Sequence, residues 1–152
     1  MLTKEELLYI EQLKEIRKTK RVAMCHGVFD LLHYEHMKLF DLAKQHADYV
    51  IVSLVADRFV DKGEGRPIID EKNRAYMLSS LRSVDKVIMT KSYYPFDMIK
   101  CYKPDVWVHG GRDVKISPED DLLKELGIEV VVREGGVNNR TISTTKIIGG
   151  MK

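Results

Sequence analysis

Apolar residues follow two alternating patterns along this chain, and the alternation predicts its architecture. Short, almost continuous apolar runs are typical of strands that are covered on both faces of a sheet. These runs are residues 21–25, 49–55, 86–89, 105–108 and 128–132. Between them, apolar residues recur every three or four positions, which is the period of a helix. These stretches are residues 34–45, 71–81, 95–101 and 118–126, and we expect Asp70 and Ser117 as N-caps of the second and last.

Strands that alternate with helices over short connections predict an α/β fold. We expect a Rossmann-like, doubly wound parallel sheet of five strands with helices on both faces, and we expect the flavodoxin-like strand order. Ligands bind such sheets at the carboxyl ends of the strands, near the point where the order reverses. The turn at Gly27, residues 109–113 and the loop before Ser143 all follow predicted strands. One active site is therefore expected where they meet.

The length of 152 residues fits a single domain, which we predict over residues 1–152. Residues 1–20 are expected to form an N-terminal helix outside the sheet, and residues 21–152 the catalytic core. The apolar positions of the first helix recur every three residues, at Leu7, Ile10, Leu13 and Ile16. A last helix is predicted to begin at Ser143.

Composition argues against two classes of partner. The chain carries 25 basic and 23 acidic residues, and the two signs are interspersed, which argues against a nucleic-acid partner. No apolar run approaches the roughly 18 residues of a membrane span, so we expect no membrane partner. The two cysteines, Cys25 and Cys101, show no metal-binding spacing. We expect a cytoplasmic protein with free thiols.

The stretch richest in chemistry is residues 26–40, HGVFDLLHYEHMKLF. Gly27 ends the first predicted strand, and His33 and His36 lie three residues apart, on one face of the first turn of the next helix. Backbone N–H groups without intrahelical partners point out of that turn, where the helix dipole is positive. Such a turn binds phosphate. The two imidazoles add donors for an anion whose charge changes during a reaction.

The motif GVFDLLHYEH resembles the GxFDxxHxGH signature of the HxGH nucleotidyltransferases, and it departs from that signature only at Glu35, where the signature has glycine. These enzymes join a nucleoside triphosphate to a phosphorylated small molecule and release pyrophosphate. The resemblance extends over residues 21–148. It implies that His33 and His36 act on the triphosphate as catalytic residues. It further implies nucleotide contacts by Gly27, Val28 and Phe29 and an acceptor contact by Asp30.

Two more positions match members of this superfamily that act on sugar phosphates and polyol phosphates. Lys62 lies in the loop DRFVDKGEGRPI, and the resemblance implies that it approaches the triphosphate as a third catalytic residue. Arg74, in EKNRAYML, matches an arginine that receives the phosphate of the acceptor. A guanidinium suits that role because its donors fork onto phosphate oxygens.

The carboxyl-terminal third of the chain carries two further similar segments. Residues 109–113 read HGGRD, and the family recognises its base with this loop, which implies nucleotide contacts by His109, Gly110, Arg112 and Asp113. Residues 142–146 read ISTTK and resemble the closing half of the RTEGISTT signature of cytidylyltransferases. The opening half differs, because Asn138 stands at the arginine position. The nucleotide-binding residues implied here are Arg140, from a shifted position, and Ile142, Ser143, Thr144 and Thr145.

The resemblance implies a magnesium-dependent cytidylyltransferase that transfers CMP from CTP to the phosphate of a small polyol, sugar or phosphonate-type acceptor. The product would be a precursor of a cell-surface polysaccharide, and relatives of this type are commonly homodimers. Mg²⁺ is expected on the triphosphate, with water completing its shell, so no protein ligand is predicted. Two alternatives stay open. The KGEGRPI loop equally resembles adenylyltransferases that use ATP on heptose 1-phosphate, and Glu35 is compatible with a nucleotide-binding module without turnover.

Overall fold

The fold is built on a parallel sheet of five strands in the order β3-β2-β1-β4-β5. The structure is a computed structural model and describes residues 1–110, 117–133 and 148. The strands are β1 (Val22–Gly27), β2 (Tyr49–Val55), β3 (Lys86–Thr90), β4 (Val106–His109) and β5 (Glu129–Val132). The predicted Rossmann-like α/β class is confirmed.

The predicted flavodoxin-like order is wrong. The chain moves outward from β1 through β2 to β3, and then crosses back to place β4 on the other side of β1. The order therefore reverses between β1 and β4. Both orders have the same alternation of strands and helices, and the apolar pattern does not say on which side of β1 the next strand pairs. The reversal point nevertheless lies at the turn that carries the histidine motif.

Helices cover both faces of the sheet. They are α1 (Lys4–Ile16), α2 (Tyr34–His46), α3 (Glu71–Ser79), α4 (Phe96–Tyr102) and α5 (Asp120–Glu125), with a short 3-10 turn at Asp57–Phe59. Apolar residues of α2 and α3 pack with one set of alternating strand residues, and those of α1, α4 and α5 pack with the other. In the described part of the chain, no helix combines the length and apolar character needed to cross a bilayer.

Capping explains where two of the helices begin. The Asp70 carboxylate accepts a hydrogen bond from the Asn73 amide at 2.8 Å, so the predicted N-cap of α3 is confirmed. The predicted N-cap at Ser117 is wrong, because α5 begins only at Asp120. There the Ser117 amide donates to the Asp120 carboxylate at 2.6 Å, which holds residues 117–119 in a turn.

Replacing Phe40 should test the packing of α2 on the sheet. Phe40 is 1% exposed and its ring lies 5.1 Å from that of Phe29. We expect Phe40→Ala to lower the free energy of unfolding by about 3–5 kcal/mol in urea denaturation, since it leaves a cavity in the core. Tyr76→Ala on α3 is the matched control, because Tyr76 is 74% exposed. Its loss should change that energy by about 0.5 kcal/mol or less. Equal effects of the two changes would contradict this packing.

Candidate active site

The turn between β1 and α2 is shaped by the ring of Phe29. A Cβ atom placed on Gly27 would lie 3.1 Å from that ring, so a larger residue would require the ring to shift by a few tenths of an ångström. Phe29 and Leu31 have φ angles of 50° and 47°, a left-handed conformation that non-glycine residues rarely adopt. Such strain persists where the surroundings enforce it, which is common at functional sites. The turn therefore brings α2 to the end of β1 in a fixed orientation.

His33 and His36 lie together at the start of α2. Their rings stack with centroids 3.9 Å apart, and the edge of His36 meets the ring of Phe29 at 5.3 Å. The backbone N–H of His33 donates to Nδ1 of His36 at 3.4 Å. A neutral His36 that accepts at Nδ1 carries its proton on Nε2. The geometry thus provides an N–H donor at the positive end of the α2 dipole, as the phosphate-binding prediction requires.

A cavity of about 270 Å³ opens at the carboxyl ends of β1, β2 and β4. Five of the predicted site residues line it, namely Gly27, Val28, Lys62, His109 and Gly110. Lys62 is exposed on its loop and reaches the cavity from the side of β2. The histidine pair does not line the cavity, but Phe29 connects the two, because its ring lies against both Gly27 and His36. Their roles in binding and catalysis stay predictions.

His26 is an organising residue that the sequence analysis did not single out. Its Nε2 lies 2.9 Å from the carbonyl oxygen of Tyr93 and its Nδ1 lies 3.0 Å from the hydroxyl of Ser53. A carbonyl oxygen only accepts, so Nε2 carries the proton and Nδ1 accepts from Ser53. His26 thereby fixes the loop after β3, whose Tyr93 and Tyr94 line the cavity. The signal for this role was its register opposite a strand serine.

The Asp30 side chain is directed into the protein. Its carboxylate is buried and accepts from the amides of Ile68 and Ile69 at 2.8 and 3.0 Å, and it pairs with Arg66 at 3.4 Å. Both oxygens therefore anchor the far end of the loop that carries Lys62. The side chain thus positions this loop in the structure, and the acceptor contact stays a prediction.

Arg74 is also held within the protein. It is 1% exposed, and its guanidinium donates to the carbonyl oxygens of Ile69, Val28 and Val55 at 2.9, 2.6 and 3.0 Å. It also donates to the Asp57 carboxylate at 2.5 Å. Its donors are thus directed to groups of the protein, and its contact with the acceptor phosphate stays a prediction. Arg74 joins the β1 turn, the end of β2 and the end of the Lys62 loop.

His109, at the end of β4, lies between two carboxylates. Its Nε2 is 3.3 Å from Asp120 and its Nδ1 is 3.9 Å from Glu119. Since Asp120 also accepts from the Ser117 amide, this contact joins β4 to the start of α5. His109 and Gly110 line the cavity, as expected of a base-recognition segment. The other predicted nucleotide-binding residues lie outside the part of the chain that the structure describes. They are Arg112, Asp113, Arg140, Ile142, Ser143, Thr144 and Thr145.

Glu35, which stands where the family signature has glycine, is buried and forms an ion pair. Its side chain is 4% exposed and forms an ion pair with Arg133, which directly follows β5. Lys38, on the next turn of α2, lies 3.8 Å from the other carboxylate oxygen. Arg133 was missed by the sequence analysis. The signal that would have found it is the glutamate itself, because a buried carboxylate needs a cation nearby.

The described residues bear on two kinds of chemistry, metal binding and nucleophilic attack by a cysteine. Among them, no three side chains of His, Cys, Asp or Glu gather in a group that could hold a metal ion. A magnesium ion that is carried by a triphosphate needs no such group. Burial raises the pKa of the Cys25 thiol to about 12, so this residue at the end of β1 stays protonated near neutral pH. Cys25 is therefore a core residue and not a nucleophile.

Comparison with known proteins identifies the family. The model of the cytidylyltransferase-like family matches residues 24–150. The chain belongs to the cytidylyltransferase-like family. It is 39% identical over 130 residues to the bifunctional protein HldE of Aliarcobacter butzleri, a match that covers 76% of this chain and 27% of that protein. The same protein of Campylobacter jejuni subsp. doylei is 36% identical over 154 residues, 99% of this chain and 31% of the relative.

These matches show that the chain spans about a quarter to a third of the length of the curated relatives. Among solved structures, a lipopolysaccharide core biosynthesis protein from Thermoplasma volcanium is 28% identical with a TM-score of 0.61. That match covers 74% of this chain and 93% of the other. Pantothenate synthetase from Thermus thermophilus has a TM-score of 0.51 at 14% identity, covering 80% and 59%, and shows the shared fold alone.

The buried hydrogen bonds of Arg74 predict a loss of stability when the side chain is removed. We expect Arg74→Ala to lower the free energy of unfolding by about 3 kcal/mol or more, because it leaves buried carbonyl groups without donors. Urea denaturation measures this change, and Arg82→Ala, at an exposed position, is the control. A stable Arg74→Ala protein with only a raised KM for the acceptor would support the phosphate-binding role.

Proposed function

We propose that this chain is an adenylyltransferase that transfers AMP from ATP to a sugar 1-phosphate such as heptose 1-phosphate and releases pyrophosphate. The observation that carries the proposal is the similarity, at 36–39% identity, to bifunctional proteins HldE across most of this chain. The KGEGRPI loop, which resembles that of heptose-activating adenylyltransferases, supports the same conclusion. So does the likeness to a lipopolysaccharide core biosynthesis protein. The relatives thus favour the ATP alternative over the CTP prediction.

The chemistry needs positioned charge and no protein nucleophile. A phosphate oxygen of the sugar attacks the α-phosphorus of ATP, the bond from that phosphorus to the bridging oxygen breaks, and pyrophosphate leaves with the bonding electrons. The attacking phosphate is already ionised near neutral pH, so no general base is required. Negative charge grows on the oxygens that leave. We expect the N–H groups of His33 and His36 and the amides of the α2 N-terminus to stabilise that charge.

The cavity supports a small, partly apolar acceptor. Tyr93, Tyr94 and Trp107 line it on one side and Lys62 on the other. Aromatic faces suit the C–H surface of a sugar ring, while a lysine suits a phosphate as a point charge. We assign the nucleotide to the part of this cavity that Gly27, His109 and Gly110 line, with its triphosphate at Lys62 and the histidine pair, and the sugar to the part that Tyr93 and Tyr94 line. Mg²⁺ would accompany the triphosphate and neutralise part of its charge, with water as its remaining ligands.

Cytidylyl transfer from CTP to a polyol phosphate or sugar phosphate is the second candidate. It is favoured by the segment ISTT at residues 142–145, which resembles the cytidylyltransferase signature. The two candidates share the same attack and the same leaving group, so they differ only in the base that is recognised.

Pyrophosphate release tests the proposal directly. With Mg²⁺ present, ATP, CTP, GTP and UTP are each combined with heptose 1-phosphate, other sugar 1-phosphates and glycerol 3-phosphate. We expect release with ATP and a sugar 1-phosphate. Release with CTP alone would establish the second candidate. Nucleotide binding without release from any pair would favour a binding module without turnover.

Substitution of the histidines tests their placement. We expect His33→Ala and His36→Ala each to fold normally and to lower kcat by about 100-fold or more, as loss of a transition-state donor does elsewhere. His46→Ala is the control, because His46 is exposed at the other end of the same helix. Steady-state pyrophosphate release measures the effect. Near-normal rates in both variants would remove the histidine pair from the mechanism.

A further inference from the structure

A negatively charged side chain lies at the position where the proposed reaction must bind a polyanion. Glu35 occupies the second position of α2, between His33 and His36, in the turn to which we assign the triphosphate. Its carboxylate is 4% exposed, so water screens it poorly. Repulsion between this group and a triphosphate would weaken nucleotide binding. The glycine of the family signature creates no such conflict.

The neighbouring strand supplies the opposite charge. Arg133 follows β5, and its backbone N–H donates to the carbonyl oxygen of His109 at 3.1 Å, which continues the pairing of β5 with β4 by one residue. From this fixed backbone position, its side chain reaches the Glu35 carboxylate and is only 15% exposed. The contact thus connects the N-terminus of α2 to the carboxyl end of β5. It also places the positively charged guanidinium of Arg133 at the same edge of the sheet as the histidine pair.

We propose that Arg133 is a charge-compensating positioning residue, which makes this active site compatible with a glutamate at the motif glycine position. The pair is neutral as a whole, so the amides and imidazoles of the α2 turn determine the local charge that the triphosphate meets. The inference rests on the proposed function, because the repulsion matters only if a nucleoside triphosphate binds here. Arg133 needs no contact with the nucleotide in order to act.

If Arg133 compensates the charge of Glu35, the effect of changing one residue on nucleotide affinity depends on the other. Binding measurements on single and double variants can resolve this dependence. Titration calorimetry gives the Kd of ATP and of CTP, each with Mg²⁺, for the unaltered chain and for Arg133→Gln, Glu35→Gln and the double variant. We expect Arg133→Gln to weaken binding by about tenfold or more, since it leaves the Glu35 charge uncompensated. Glu35→Gln should bind at least as tightly as the unaltered chain. The double variant should return to within about threefold of Glu35→Gln.

Two further variants separate charge from structure. Arg133→Lys keeps the cation and should keep most of the affinity, which a purely steric role would not predict. Lys38→Gln is the matched control, because Lys38 is more exposed and lies 3.8 Å from the same carboxylate. It should change Kd by less than about threefold. If Arg133→Gln does not fold, the double variant and Arg133→Lys still test the compensation.

Each result of these binding measurements either supports or contradicts the compensating role of Arg133. Unchanged affinity in Arg133→Gln would overturn it. Equal weakening in Arg133→Gln and in the double variant would also overturn it, because that result would mean a direct contact between Arg133 and the nucleotide. If the unaltered chain binds neither nucleotide, the proposed function itself fails. If it binds and Arg133→Gln binds as well, only the compensation fails.

Discussion

The carboxyl edge of the sheet depends on one buried cation. Arg74 donates to carbonyl groups of the β1 turn, the end of β2 and the end of the Lys62 loop, and it pairs with Asp57. Each of these carbonyls would otherwise lie in the core without a donor, which is costly. A planar group with five donors can serve several such acceptors at once. Because the same side chain touches all of these segments, the turn and the loop keep fixed relative positions, which is the condition for preorganised catalysis.

The fold class was predictable from the sequence because both faces of the sheet are covered. Continuous apolar runs identified β2 with the bounds that the structure shows, and the other strands to within two residues. The strand order was not predictable, since it depends on which side of β1 the chain returns to and no local period records that choice. The start of α5 was also missed. There the Asp120 carboxylate accepts from the Ser117 amide, and residues 117–119 form a turn before the helix.

The site was predictable to the extent that its residues lie at or near the carboxyl ends of strands. Gly27, Val28, Lys62, His109 and Gly110 do line one cavity. Asp30 and Arg74 have a structural role that motif reasoning did not predict, because their side chains bind backbone groups that shape the site. Their burial is a tertiary property that the sequence pattern does not reveal. Glu35 and Arg133 lie 98 positions apart, and only the order of the strands brings them together.

The reversal between β1 and β4 has a consequence for how substrate preference can change. The chain leaves β1 toward α2 on one face of the sheet, whereas α5, which lies between β4 and β5 in the chain, packs on the opposite face. Two backbones that part in opposite directions leave a crevice whose existence depends on topology and not on any side chain. Residues that line it, such as Tyr93 and Tyr94, can therefore be exchanged without closing it. A lineage of such proteins can acquire new acceptors by altering the wall of a crevice that the backbone keeps open.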